Sequence, residues 1–229
     1  MIFKQLFDHD TSTYTYLIAS APGREAIIID PVKGNKEIYT KLLNELDVKL
    51  AYTLDTHVHA DHITASGDLR EETGSIYVMG EHTNAHCVSL KVKEGEMINV
   101  DGLKFQTIYT PGHTNDSYSF VLDNQVFTGD TLLIRGTGRT DFQNGNSIEQ
   151  YDSIFNKLLK LPDETIVYPG HDYHGHTSSS IWEERAFNPR LQVKSAEAYA
   201  DLMANLNLPL PRYIDVAVPA NIKCGIDES

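Results

Sequence analysis

Seven consecutive residues limit what this chain can become. Thr56-His57-Val58-His59-Ala60-Asp61-His62 places three imidazoles and a carboxylate within six residues. The cluster follows the apolar run Leu50-Ala51-Tyr52-Thr53-Leu54, so it sits at the C-terminal end of an expected strand. On an extended segment, side chains two apart leave the backbone on the same side, which pairs His57 with His59. Asp61 and His62 belong to the turn that opens an expected helix over 61–73, and approach from another direction. Neutral nitrogen donors beside an anionic oxygen are the mixture that first-row transition metals favour. A solvated His-rich loop is the competing reading, and the rest of the chain argues against it.

Three more motifs carry ligand-type residues, each directly after an expected strand. They are His113 in Thr110-Pro111-Gly112-His113-Thr114, Asp130 in Phe127-Thr128-Gly129-Asp130-Thr131, and His171 in Tyr168-Pro169-Gly170-His171-Asp172. Taken singly, a Gly-His after a strand is more often a turn residue than a ligand. Taken together, strand ends that converge on one edge can assemble distant positions at one metal centre. Gly112, Gly129 and Gly170 permit the tight backbone paths that aim the ligands inward. The inventory admits one metal or two. His57, His59, His113 and Asp130 can surround a first ion, and Asp61, His62 and His171, with Asp130 bridging, a second. Two metals suit hydrolysis of an ester or thioester. One metal held by two His and one Asp leaves open positions suited to O2 chemistry at Fe(II). Spacing alone does not choose.

At 229 residues the chain is expected to form one domain over 1–229, with 194–229 as a C-terminal helix and irregular tail packed on it. Strands are expected at 14–19, 26–29, 50–54, 75–79 and 165–168, with hairpins around Asp101-Gly102 and Asp123-Asn124. Helices are expected over 35–47, by the spacing of Ile38, Leu42, Leu43 and Leu46, and from Ser147, where Ser147 and Gln150 form a capping box. The latter helix buries Ile148, Tyr151, Ile154, Phe155, Leu158 and Leu159. This order fits an α+β architecture, two mixed sheets face to face with helices outside. The net charge of −13 argues against nucleic acid, whose phosphates call for clustered Lys and Arg. No run reaches membrane-spanning length, and no signal peptide is visible at the N-terminus. Cys87 and Cys224, far apart, make no disulfide framework and point to a reducing cytoplasm. Cys87 reads as a small buried hydrophobe.

In this order the four motifs are the signature of the metallo-β-lactamase fold, an αββα sandwich. Beyond that signature the chain resembles the persulfide dioxygenases, also called sulfur dioxygenases, nearly end to end. The resemblance runs through Gln5–Asp8 with Ser12–Tyr16, Thr56–Thr64, Thr110–Thr114 and Leu132-Leu133-Ile134-Arg135-Gly136-Thr137-Gly138-Arg139-Thr140-Asp141-Phe142-Gln143. It continues through His171–Gly175, Glu183–Arg185, Asn188–Leu191, Asn205–Pro209 and Val218-Pro219-Ala220-Asn221. The Ile134–Gln143 and Val218–Asn221 segments are the most specific, since the wider superfamily shares neither.

The resemblance implies a mononuclear Fe(II) enzyme that oxidises glutathione persulfide with O2 and water to glutathione and sulfite. It implies His57, His113 and Asp130 as the iron ligands, with His59, Asp61, His62 and His171 behind them as orienting residues. Glutathione carries two carboxylates, for which Arg139 is the first candidate and Arg190 the second. Tyr173 is expected as a donor near the thiol end. Each Arg has a structural ion pair as its competing reading. Thr137 and Val58 stand where some animal members carry cysteine, which argues against catalytic thiols near the metal. The resemblance also implies a homodimer, with a rhodanese or a sulfide-quinone oxidoreductase as an upstream partner. The location follows as a bacterial cytoplasm, or a mitochondrial matrix if a presequence was removed.

His9, His82 and His86 read as surface or packing residues, His174 and His176 as solvated loop residues, and Arg185 as one side of an ion pair. Cys224 lies in a tail that matches the family and is a candidate for a place near the sulfur channel. The runner-up enzyme is a glyoxalase II-like hydroxyacylglutathione hydrolase with two metals. The Arg-Gly-Thr-Gly-Arg-Thr-Asp-Phe segment and the short C-terminal region argue against it. A sulfane-sulfur sensor without turnover and a lactamase are weaker readings.

Overall fold

Apolar and β-branched runs between turn residues form strands, and in the computed structural model they assemble into two six-stranded sheets. The structure describes residues 1–209 and 213–226, so parts of the expected tail, 210–212 and 227–229, lie outside the described residues. Two compact units result, one from 1–92, 97–104 and the described part of 210–229, the other from 93–96 and 105–209.

In the first unit, β1 (Ile2–Asp8), β2 (Thr13–Ala19), β3 (Glu25–Ile29), β4 (Lys49–Leu54), β5 (Ile76–Gly80) and β6 (Leu90–Val92) lie side by side in chain order. The first three are antiparallel and β3 to β6 are parallel. Parallel neighbours end at the same edge. Ile29 pairs with Leu54 and Leu54 with Val78, so the residues that follow, Asp30 and Asp55, emerge together. Helices α1 (Lys36–Glu45) and α2 (Ser66–Thr73) cover this sheet with a core of Leu17, Ala26, Ile28, Tyr39, Leu43 and Leu69. Each large apolar side chain buried there contributes about 1.5–3 kcal/mol. β1 escapes an apolar-run reading because Lys4 and Gln5 interrupt it. It forms because all seven of its residues pair with β2.

The second sheet runs β7 (Met97–Val100), β8 (Leu103–Tyr109), β9 (Tyr118–Leu122), β10 (Gln125–Gly129), β11 (Ile166–Pro169) and β12 (Ser179–Ser180). Asp101 and Gly102, both at positive φ, make the expected tight turn. β10 and β11 are parallel, with Gly129 opposite Pro169, so Asp130 and His171 leave from neighbouring strand ends. Helices α3 (Ser147–Asp152), α4 (Ile181–Phe187) and α5 (Ala196–Ala204) pack Ile154, Leu158, Ile181, Tyr199 and Met203 against Val126 and Val167. α3 continues through a π turn over Ser153–Lys157 and a 3-10 turn over Leu158–Lys160.

Five expectations change. The helix expected over 61–73 starts only at Ser66, because Thr64 spends its N–H on the Asn221 side chain and its hydroxyl on Asp55 and Ser66. Asn146, in extended backbone, caps α3 in place of Ser147 by accepting from Ile148 and Glu149. Ile148, expected in the buried stripe, is 46% exposed. The expected C-terminal helix is α5, but the tail after it is not wholly irregular: it holds α6 (Ile214–Ile222), with Pro219 inside it, which belongs to the first unit. Cys87 and Cys224 form a disulfide, with Cα atoms 6.1 Å apart. A separation of 137 residues carried no signal that the loop after β5 meets the end of α6.

Candidate metal centre

The first unit builds its part of the site on a buried carboxylate. Asp30, 1% exposed at the end of β3, accepts from Thr56 N at 2.7 Å, Thr56 Oγ1 at 3.0 Å and His59 Nε2 at 3.1 Å. Burial pushes its pKa up to about 6, against the lowering pull of His57 and the Thr56 bonds. Because the Thr56 hydroxyl gives its proton to Asp30, His57 Nδ1 donates to Thr56 Oγ1 at 2.9 Å and His57 carries its lone pair on Nε2. His59 gives its Nε2 proton to Asp30 and carries the lone pair on Nδ1. His62 Nδ1 donates to Asp61 Oδ2 at 2.8 Å, which leaves the lone pair on Nε2.

The rings of His57 and His59 are 4.2 Å apart and those of His59 and His62 4.3 Å, all three nearly inaccessible to water. One ligand atom from each of His59, Asp61 and His62 lies within 4.8 Å of the others. Asp55, whose pKa burial raises, takes hydroxyls from Thr64, Ser66 and Tyr77 and fixes the far end of the loop.

The second unit builds on backbone. His113 follows Gly112, whose φ of 135° suits glycine. Its Nδ1 donates to Arg139 O at 2.7 Å, so the lone pair is on Nε2, 3.6 Å from Asp130 Oδ2. The other carboxylate oxygen, Oδ1, accepts from His171 Nδ1 at 2.7 Å. An acceptor behind each ring fixes its tautomer and places the lone pair on the opposite nitrogen, the form in which an imidazole can bind a metal. Gly138 lies so close that a Cβ there would overlap Asp130 O and come within 2.8 Å of the His113 ring. Gln150 Nε2 holds Gly138 O at 3.1 Å, and Gln150 Oε1 accepts from Tyr199 OH at 2.7 Å.

The donor set in both units fits a transition metal: imidazole lone pairs fixed by hydrogen bonds, and carboxylates with one oxygen already engaged.

The expected substrate residues are placed less decisively. Arg139 forms a two-pronged pair with Asp141, at 2.7 and 2.8 Å, donates to Pro209 O and stacks on Phe142. That bond holds the Asp141 carboxyl below the usual range. Arg190 turns to Thr137, donating to its carbonyl and hydroxyl. Tyr173 is 67% exposed, its ring parallel to that of His171. Arg185 pairs with Asp163, as expected of an ion-pair residue.

Sequence reasoning missed Asp30, Asp55, Gln150, Asn221 and Glu184. Buried Glu184 holds the Leu133–Gly136 turn by accepting from Arg135 N, Arg135 Nη1 and Asn188 Nδ2. Asp30 had a signal: like the four motifs, it follows an apolar strand directly.

Comparison with known proteins bears on the fold and the family. Residues 88–171 match the family model of the metallo-beta-lactamase superfamily. The mitochondrial persulfide dioxygenase ETHE1 of Mus musculus is 43% identical over 99% of this chain and 89% of its own length. The crystal structure of ETHE1 from Myxococcus xanthus superimposes with a TM-score of 0.96 at 54% identity, covering 99% of this chain and 100% of that one. A hydroxyacylglutathione hydrolase of Dictyostelium discoideum is 34% identical, but over 70% of this chain and 62% of its own length. The two ETHE1 likenesses each span 99% of this chain, and the chain belongs to the persulfide dioxygenase family, on the metallo-β-lactamase fold.

Proposed function

We propose that the chain is a mononuclear Fe(II) persulfide dioxygenase, converting glutathione persulfide, O2 and water to glutathione and sulfite. The carrying observation is the full-length likeness to ETHE1 joined to the fixed tautomers of the site histidines. In this reading His57, His113 and Asp130 are the ligands, a two-histidine, one-carboxylate set that leaves open positions. When bound, Fe(II) supplies the one-electron chemistry that O2 requires and side chains lack.

The chain's own residues do the rest. Thr56 holds His57 through Nδ1, the Arg139 carbonyl holds His113, and His171 fixes one Asp130 oxygen, so each ligand presents a single atom. His57, His59 and His62 are nearly inaccessible to water, which strengthens the hydrogen bonds that orient them. His59, Asp61 and His62 orient the loop from behind. Arg139 would exchange the exposed Asp141 for a glutathione carboxylate, with Arg190 and Tyr173 as further contacts. Neither cysteine is needed as a nucleophile. The reading includes a homodimer, a rhodanese or sulfide-quinone oxidoreductase upstream, and a cytoplasmic location that no longer rests on the cysteines, since they pair. Among the described residues no helix is long and apolar enough to cross a membrane.

The clustering of His59, Asp61 and His62 favours the second reading, a two-metal thioesterase. One experiment separates the two. Anaerobically iron-loaded protein is given glutathione persulfide while O2, sulfite and metal are measured. O2 uptake with sulfite at about one iron per chain, abolished by His113→Ala or Asp130→Asn, supports the dioxygenase. Flat O2 with hydrolysis of S-lactoylglutathione at about two metals per chain transfers the assignment to the hydrolase.

A further inference from the structure

We propose that Asn221 is the positioning residue of the loop that carries His57, His59 and His62, and that the Cys87–Cys224 disulfide latches it in place. The inference rests on the metal reading only in taking that loop as ligand-bearing. From Asp55 to Ala65 the chain has no helix or strand, so few of its polar backbone groups find partners in regular structure. Asn221, 3% exposed in α6, supplies three partners. Its Nδ2 donates to His59 O at 2.9 Å and His62 O at 2.8 Å, and its Oδ1 accepts from Thr64 N at 2.9 Å. Two donors and one acceptor on a short side chain describe a carboxamide; a carboxylate offers the carbonyls nothing, and an ammonium offers Thr64 nothing. The three bonds span the loop from His59 to Thr64, with the His62 carbonyl between.

The end of α6 cannot shift freely. Cys224 and Gly225 both have positive φ, and Lys33 Nζ bonds the Gly225 carbonyl. A Cβ on Gly67 would overlap Cys224 O, and one on Gly225 would overlap Thr64 O. The disulfide then ties this tight turn to the loop after β5, where Arg70 bonds the Cys87 carbonyl. Cys224 also shares a buried cluster with Tyr77, Met79, Ala85 and Val58, the residue between His57 and His59. The latch therefore reaches the loop twice, through the Asn221 amide and through the Val58 side chain. Asn221 touches no reacting atom in this account. It sets where the imidazoles stand.

The test uses the full chain and the variants Asn221→Ala, Asn221→Asp and Cys87→Ser/Cys224→Ser. Amide hydrogen exchange is read in the metal-free protein, and the Fe(II) dissociation constant by chelator competition. Asn221→Ala is expected to speed exchange over 57–64 by about tenfold or more, leaving β8 to β10 unchanged. It is expected to weaken Fe(II) binding by about 10- to 100-fold. Asn221→Asp keeps the volume and the Thr64 acceptor but sets a carboxylate against two carbonyls, so it reads the clamp even if the alanine variant does not fold. The double serine variant is expected to move both readouts the same way by a smaller factor.

Unchanged loop exchange and unchanged Fe(II) affinity in Asn221→Asp overturn the inference. So does a uniform rise in exchange throughout the first unit at unchanged affinity, the mark of a merely structural residue. If the parent protein binds no Fe(II) while the loop-specific exchange contrast persists, the iron assignment fails and the positioning role stands.

Discussion

In the first unit the imidazoles of His57 and His59 are held by buried side chains and that of His62 by half-buried Asp61, whereas in the second His113 is held by a backbone carbonyl and Asp130 by a neighbouring histidine. The burial differs accordingly. His57 and His59 are 1% exposed, while the side chains of His113 and Asp130 are 11% and 13% exposed. A buried carboxylate with three donors is vulnerable to subtraction, because each donor it abandons stays dry. A backbone cradle closed by glycine is vulnerable to addition, because there is no room for a methyl group.

The sharpest break of this contrast is Asp30→Ala. It leaves the Thr56 N–H, the Thr56 hydroxyl and the His59 N–H without their acceptor, and should cost about 3 kcal/mol or more in urea unfolding. A cost below about 1 kcal/mol would show that the loop does not depend on its carboxylate.

Gly138→Ala tests the other side. The added methyl presses on the His113 ring and the Asp130 carbonyl, with an expected cost of about 1–3 kcal/mol. Metal per chain should drop while circular dichroism stays native. Full metal occupancy at an unchanged melting temperature would remove the cradle from the account.

Tyr39→Phe sharpens the comparison by reaching Asp30 from behind. Tyr39 OH accepts from Val32 N and donates to Thr15, whose hydroxyl donates to the Asp30 carbonyl. Losing it should cost about 1–2 kcal/mol. Burial pushes the Tyr39 pKa up from 10.0 to about 12, against its hydrogen bonds to Thr15 and Val32. The folded state therefore keeps a proton that the unfolded chain has already lost. Stability from this group is complete below pH 10 and falls as pH rises from 10 to about 12. Tyr199 and Tyr168 are raised in the same direction, so Tyr39→Phe should remove part, not all, of the alkaline fall in a denaturation series from pH 9 to pH 12. An unchanged fall would place its origin elsewhere.

Much of the candidate site was legible because its parts are local. Each ligand motif directly follows an apolar run, and the apolar runs became strands: β4 before His57, β8 before His113, β10 before Asp130 and β11 before His171. The tight turn at Asp101-Gly102 and the stop at Gly74, where φ is 72°, were local in the same sense. Capping at Asn146 was missed because Asn and Ser both cap, and only backbone conformation decides between adjacent candidates. The helix in the tail was missed because Pro219 reads as a breaker, while the packing of Ala217, Val218 and Ile222 outweighs the hydrogen bond it removes.

By itself the sequence determined which residue types stand at the ends of which strands, and with them the fold family and the chemistry of the candidate ligands. Tertiary structure alone decided who holds them. Asp30 meets Thr56 because β3 and β4 are parallel and end in register. Asn221 meets His59 across 162 residues, and Cys87 meets Cys224 across 137. A side chain's chemistry is written in one residue, but its hydrogen-bond partner is whatever the closed chain brings within 3 Å. No local pattern of apolar spacing encodes that contact.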